Sequence, residues 1–228
     1  MDTNVAAKMT GSRMDHKQHW EDVYSQKPED SLSWFQPRPE ISLELIHAAG
    51  LPKTAALIDV GGGASRLVDC LLAEGFSDVT VLDIAEHALQ KTQSRLGDLA
   101  SRAHWIVADV TRWNPERQYR LWHDRAVFHF LTDATERAAY RKNLEAALAP
   151  GGTAITASFA LEGPERCSGL PVQRYSPETL SAELGPKFHL TAHRQETHHT
   201  PADRIQQFQY SVFEYRPTKD GLSATQDE

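Results

Sequence analysis

The sequence predicts an α/β domain built on a doubly wound parallel sheet, and three observations carry that prediction. From Ala55 onward, short apolar runs alternate with amphipathic segments of helical length, and strands separated by helix-length crossovers pair in parallel. A glycine-rich turn, Asp59-Val-Gly-Gly-Gly-Ala-Ser65, stands between the first such run and the first such helix. The last third of the chain abandons this alternation for two strand-like segments in succession, as expected of an antiparallel pair at one edge of the sheet.

The elements follow in order. Residues 1 to 14 and 217 to 228 are polar and unpatterned and are expected to be disordered ends. HKQHWEDVYSQ and PEISLELIHAAG have helical spacing and flank the aromatic, turn-rich SLSWFQPRP, so residues 15–51 are expected to form an N-terminal cap or lid. The core, 52–216, opens with AALIDV as its first strand, SRLVDCLLAEG as a helix stopped by Gly75, DVTVLDI as a β-branched strand and AEHALQKTQSRLGDL as a second helix. HWIVADV gives a third strand and LWHDRAVFHFL a fourth. DATERAAYRKNLEAALAPGG then reads as a long helix ended by Pro-Gly-Gly, and TAITASFAL as a fifth strand. SPETLSAEL is a short Ser-capped helix, and FHLTAHRQET and RIQQFQYSVFEYR are the final pair of strands. No repeat interrupts this order, so residues 1–228 are expected to make one domain.

Composition bounds the function. Lys plus Arg number 24 against 31 Asp plus Glu, a formal charge of −7, and no basic run offsets it, which disfavours binding to a nucleic-acid backbone. The five tryptophans are scattered rather than arranged as a base-stacking platform. Cys70 and Cys167 are the only cysteines and form no CxxC pair, which leaves no disulfide framework. Eleven histidines include His16 and His19 and the adjacent His198 and His199, but no HExxH accompanies them, so no metal is expected. No apolar stretch reaches membrane-spanning length and no secretory h-region is present at the start, and the expectation is a cytoplasmic protein without membrane contact, as a monomer.

The glycine turn discriminates between cofactors. Aligned on the dinucleotide fingerprint, Gly61 and Gly63 fit but Arg66 takes the place of the third glycine, and the carboxylate of Asp59 would repel a pyrophosphate. A ligand carrying an ammonium and a sulfonium and no phosphate reverses that preference: Gly61, Gly62 and Gly63 let the backbone approach, and Asp59 offers negative charge. S-adenosylmethionine is such a ligand. Asp83, twenty residues past Gly63, ends the second strand where a carboxylate accepts from ribose hydroxyls, with Ile84 beside it. Asp109 ends the third strand within reach of an adenine amino group, with Val110 beside the ring. Any one of these acids alone reads equally as a turn or cap residue; the three at successive strand ends, with the glycine turn, form a constellation.

The segments ALIDVGGGAS, VTVLDI, IVADV, WHDRAVFHFL and LAPGGTAITASF resemble, in order and spacing, the motifs of class I S-adenosylmethionine-dependent methyltransferases. The resemblance covers residues 52 to 216 and implies a Rossmann-like seven-stranded sheet in the order 3-2-1-4-5-7-6 with the last strand antiparallel. The family's third spaced glycine is replaced here by Ser65, counted with Phe128 among the cofactor-binding residues. The leader SWFQPRPEISLELI is more loosely similar to bacterial small-molecule methyltransferases and to the thiopurine and tellurite group.

Methyl transfer from a sulfonium is an in-line displacement that needs alignment and exclusion of water more than covalent help. A base is required only where the acceptor must lose a proton, and His129, near the end of the fourth strand, is the candidate, with a structural histidine beneath the cofactor as the alternative. The Asn/Asp-Pro-Pro-Tyr/Phe signature of adenine and lysine amino-methylation is absent there. The long loop GPERCSGLPVQRY puts Cys167, Arg174 and Tyr175 forward as acceptor contacts, and Trp34 and Phe35 of the cap could close over the methyl group and present an aromatic face to the sulfonium. The expected activity is methyl transfer to a small molecule. The rivals are a protein lysine methyltransferase and a non-catalytic protein that keeps the cofactor pocket.

Overall fold

Strands buried on both faces read as unbroken apolar runs, and β1 (Leu57–Val60) and β2 (Val79–Asp83) are buried along their whole length. In a computed structural model describing residues 16–217, they lie inside a seven-stranded sheet with β3 (Ala103–Val107), β4 (Tyr119–Arg125), β5 (Leu148–Phe159), β8 (Phe188–His199) and β9 (Ile205–Tyr215), in the order β3-β2-β1-β4-β5-β9-β8. β9 runs antiparallel to both β5 and β8, so the expected order and the single reversed strand are both found. The expected ends, 1–14 and most of 217–228, lie outside the described residues.

Helices cover both faces. α1 (residues 16–26) and α2 (Glu40–Ala48) form the cap, followed by α3 (Leu67–Ala73) and α4 (Glu86–Leu96). Leu43 and Ile46 of α2, Leu67 and Leu71 of α3 and Leu89 of α4 pack on one face of the sheet with Leu57, Val79, Val81 and Leu121. α5 (Ala134–Ala147) and α6 (Pro177–Leu184) close the other, where Tyr140, Leu144 and Leu180 meet Ile58, Val60 and Leu82. Each of these two helices starts at a side-chain cap: Asp133 accepts from the Thr135 N–H, and Ser176 and Thr179 form a reciprocal capping box. Among the described residues no helix is long and apolar enough to cross a membrane.

Three local expectations are corrected. β4 stops at Arg125 instead of running on to Leu131, because Asp124 accepts the N–H groups of Val127 (2.8 Å) and Phe128 (3.1 Å) and pulls the chain back through Ala126, at φ +76°. Phe128–Phe130 then make a single tight helical turn. Pro150-Gly151-Gly152 does not lie beyond a helix end in a loop; it sits within β5, where the register moves from Tyr119↔Leu148 to Leu121↔Thr153, two residues on β4 against five on β5. The bulge absorbs glycine and proline that a regular ladder would not. The loop after β5 also holds a small hairpin of its own, β6 (Arg166–Cys167) and β7 (Leu170–Pro171).

Candidate active site

Parallel strands end together, and at the carboxyl ends of β1, β2, β3 and β4 lies an open cavity of about 1010 Å³, the place a doubly wound sheet reserves for ligands. Its floor includes Gly61, Asp83, Ile84, Asp109 and Val110, and the cap supplies Trp20, Tyr24 and Trp34 as a wall. Arg125 at the end of β4 and Phe130 beyond it, with Cys167 and Phe208, complete the far side.

The glycine turn is as tight as its composition requires. Gly61 and Gly63 hold φ of +67° and +35°, and a Cβ on Gly61 would drive into the Val127 side chain. One on Gly62 would fall 2.5 Å from Asp59 Oδ2, and one on Gly63 2.7 Å from Asp83 Oδ2. The N–H groups of Gly61 and Gly62 both donate to the Leu82 carbonyl (2.7 and 3.3 Å), so the turn is tied to β2. Ser65 caps the start of α3 by accepting from the Leu67 N–H at 3.1 Å. The turn therefore leaves open floor beside Asp83 where a side chain would otherwise stand.

The three acids hold different posts. Asp83 lines the cavity and accepts the Ala85 N–H at 2.8 Å; burial, reinforced by the nearby negative charges of Asp59 and Glu21, pushes its carboxyl up to about 7. Asp109 lines the cavity and accepts from both the N–H and the hydroxyl of Thr111 (2.9 and 2.7 Å), which fixes the turn after β3. Asp59 stands apart. It is 2% exposed and faces a second, more polar recess of about 560 Å³ shared with Gly62 and Ser65, where its Oδ1 meets His123 Nδ1 at 2.7 Å, while His123 Nε2 meets the Ser42 hydroxyl of α2 at 2.9 Å.

Of the residues expected on the acceptor side, Trp34 and Cys167 line the main cavity. Phe35 lines the polar recess and packs with Tyr24 and Leu32. Arg174 is bound back onto its own loop, through the Gly163 carbonyl and Glu165 at 3.1 Å each. Tyr175 is buried with its ring 5.4 Å from that of Phe128, and Phe128 is itself enclosed against Tyr140 at 4.8 Å; neither is among the cavity-lining residues. His129 does not stand where a base is needed. It is fully buried, its Nδ1 accepts the Phe159 N–H at 3.3 Å, and burial together with the Arg125 cation drives its basicity down to about 3. Its lone pair is already used and the ring is neutral near pH 7.

Arg125, the last residue of β4 beside Asp124, carries no sequence signal of a site role. A buried cation demands partners, and Arg125, its side chain 10% exposed, has them: Nε donates to Tyr210 Oη (2.8 Å), one Nη to the Trp34 carbonyl (3.2 Å) and the other to Glu196 (3.3 Å). Glu196 also accepts from Tyr210 (2.9 Å) and from Gln36 of the cap (2.5 Å). A second cap contact is Glu21 of α1, which accepts the N–H groups of Glu86 (2.8 Å) and His87 (3.2 Å) at the start of α4. Among the described residues no cluster of three or more metal-ligating side chains occurs.

Residues 57–152 match the family model described as a methyltransferase domain. Over 129 residues the chain is 30% identical to nodulation protein S of Sinorhizobium fredii, an alignment covering 57% of this chain and 58% of that protein. It is 25% identical over 120 residues to the eEF1A lysine and N-terminal methyltransferase of Mus musculus, covering 52% of this chain and 17% of the other. The chain thus spans little more than half of the first relative and a sixth of the second. In fold it is similar to the 1,6-didemethyltoxoflavin-N1-methyltransferase of Burkholderia thailandensis, a structure with bound 1,6-didemethyltoxoflavin and S-adenosylhomocysteine, at a TM-score of 0.64 and 17% identity over 95% of this chain and 91% of that one.

Proposed function

We propose that this chain, whose residues 57–152 match a methyltransferase-domain model, is a class I S-adenosylmethionine-dependent methyltransferase that transfers a methyl group to a small-molecule acceptor. The observation that carries the reading is the single cavity that runs from Asp83 and Asp109 at the strand ends to Trp20 and Trp34 of the cap. Cofactor and acceptor would share it, with the cap excluding water.

Asp83 would accept from the ribose hydroxyls, Asp109 and Val110 would flank the adenine with Ile84, and Gly61 would let the backbone approach. The bound cofactor supplies an electrophilic methyl group on a sulfonium. The chain then contributes orientation and dryness: Tyr24 and Trp34 stand over the glycine turn with ring centroids 6.0 Å apart, and their faces suit a neighbouring cation. Asp59 lies beneath the turn, 2.5 Å from where a Cβ on Gly62 would stand, and a carboxylate there would favour a cationic ligand over a phosphate. No proton acceptor is assigned, which suits an acceptor atom that is already a free nucleophile.

A second reading, methylation of a protein lysine or N-terminus, is favoured by the likeness to the mouse enzyme. The test is calorimetry with S-adenosylhomocysteine and NADH, followed by labelled methyl transfer to cell extract separated into small and large fractions. Binding of S-adenosylhomocysteine with label in the small fraction is the expected result. NADH binding alone ends the methyltransferase reading, label confined to protein selects the second reading, and cofactor binding without label selects a non-catalytic role.

A further inference from the structure

The geometry points to the chemistry of the acceptor: we propose that the part of the cavity beyond the cofactor residues takes a flat, uncharged aromatic molecule whose oxygen accepts a hydrogen bond from Arg125. This rests on the methyl-transfer reading above.

The walls of that part are aromatic. Trp20 meets Trp34 edge to face at 5.7 Å and Phe130 at 5.0 Å, with interplanar angles of 79° and 74°, so Trp20 is braced on two sides before any ligand enters. Phe208 closes the space behind Arg125, with the guanidinium carbon 4.2 Å above its ring. Such a lining rewards a planar apolar body and holds it with little rearrangement.

Arg125 is the buried cation of that part, in a lining that also includes His16, Thr111 and Glu136. The bonds to Tyr210, Trp34 and Glu196 use three of the five guanidinium N–H groups, one from Nε and one from each Nη, so each Nη has a second N–H to offer. Glu196 is a full counter-charge to the guanidinium at 3.3 Å, and its carboxylate is shared among Arg125, Tyr210 and Gln36. The pair therefore presents donors with little net charge. Donors of that kind suit a carbonyl or phenolic oxygen. A carboxylate would have to lie near Glu196, and a lysine ammonium would have to lie against the guanidinium, both like-charge approaches in a poorly solvated place. A neutral aromatic acceptor is favoured over a lysine-bearing one on this ground.

The experiment uses the full chain saturated with S-adenosylhomocysteine. A first calorimetric titration with that ligand tests the underlying reading by itself: no binding there defeats the methyltransferase assignment before any acceptor probe is added. Three probes are then titrated separately: carbostyril, a flat neutral lactam; naphthoate, a flat anion; and N-acetyl-lysine methylamide, a flexible cation. Carbostyril is expected to bind about tenfold or more tighter than the others, the scale for one well-made hydrogen bond to a charged donor. Replacing Arg125 alone would leave Glu196 buried without a counter-ion, so the variant used is the pair Arg125→Met with Glu196→Gln. In it carbostyril binding should weaken by about tenfold, with the S-adenosylhomocysteine titration on the same preparation reporting an intact fold. Failure of all three probes, tighter binding of naphthoate or of the lysine probe, or undiminished carbostyril binding by the double variant would each overturn the proposal.

Discussion

His123 and Asp59 are partners across adjacent strands: β4 and β1 place them in register, and Nδ1 lies 2.7 Å from Oδ1 with both side chains less than 5% exposed. Ser42 completes the line from the cap helix at 2.9 Å. A polar file thus crosses an otherwise apolar layer from α2 to the glycine turn. Replacing His123 by Leu would strand the Asp59 carboxylate and is expected to cost about 1–3 kcal/mol of stability. His123→Asn, which keeps a donor, should cost less. Urea unfolding of the two variants measures the difference, and equal costs would show that the bond to Asp59 is not what matters.

Asp83 makes stability and cofactor binding depend on pH in opposite senses. Its carboxyl, raised to about 7 in the folded chain, is near 4 when unfolded, so the folded state holds the proton more tightly. The contribution is complete below about pH 4 and is lost as pH rises to 7, on the order of 4 kcal/mol. Asp83→Asn should remove this slope, leaving a variant whose advantage over the native chain is larger at pH 8 than at pH 5 in urea unfolding.

On the proposed ribose contact, the same carboxyl would have to be ionised to accept from both hydroxyls. Affinity for S-adenosylhomocysteine should therefore rise between pH 6 and 8 with release of a proton, seen in calorimetry as a heat that changes with the buffer's own ionisation heat. Asp83→Ala should weaken binding by about 1–3 kcal/mol at pH 8. A pH-independent affinity would move the ribose contact elsewhere.

Gly61→Ala combines a left-handed backbone, at φ +67°, with a Cβ driven into Val127. Adding Val127→Ala returns the space without relieving the backbone. The single variant should lose more stability than the double, and the double should retain a deficit of about 1–2 kcal/mol, read by thermal unfolding. Full recovery in the double variant would assign the whole effect to packing.

The cap is expected to answer the cofactor. Trp20, Tyr24 and Trp34 line the same cavity as Asp83, so filling it should slow proteolytic cleavage within residues 16–39, the part of the expected 15–51 cap that reaches the cavity. Glu21→Ala, which removes the acceptor for the first N–H groups of α4, should speed cleavage, by the scale of a lost helix cap of about 1 kcal/mol. Cleavage that is equally slow with and without S-adenosylhomocysteine would make the cap a fixed layer.

The fold was legible because its signals are local. Asp59 to Ser65 announces its turn, Ser176 its helix, and the run of Ile58 to Val60 its double burial, all within a few residues. What escaped depends on partners far away along the chain. β4 was read past its end because Phe128 and Phe130 continue an apolar run, whereas the stop is made by Asp124 binding back onto Val127 and Phe128. Arg125 needs Glu196, 71 residues on, and the carbonyl of Trp34, 91 residues back, and only the folded sheet brings them together. His129 lies at the expected end of β4, yet the bend at Ala126 turns its ring into the core. Asp83 and Asp109, at strand ends that sequence periodicity locates well, both line the cavity.

The two parts of the cavity come from different stretches of the chain. Asp83, Ile84, Asp109 and Val110 fall inside the segment 57–152 that matches the family model, whereas Trp20, Trp34, Cys167 and Phe208 fall outside it. Arg125 is the point where they join: it sits on a strand of the matched segment and is bonded to the cap and to the edge strands. Substitutions in the cap and the edge hairpin would accordingly reshape the far wall without touching Asp83 or Asp109, so under the proposed reading the acceptor could change while the methyl donor stayed the same.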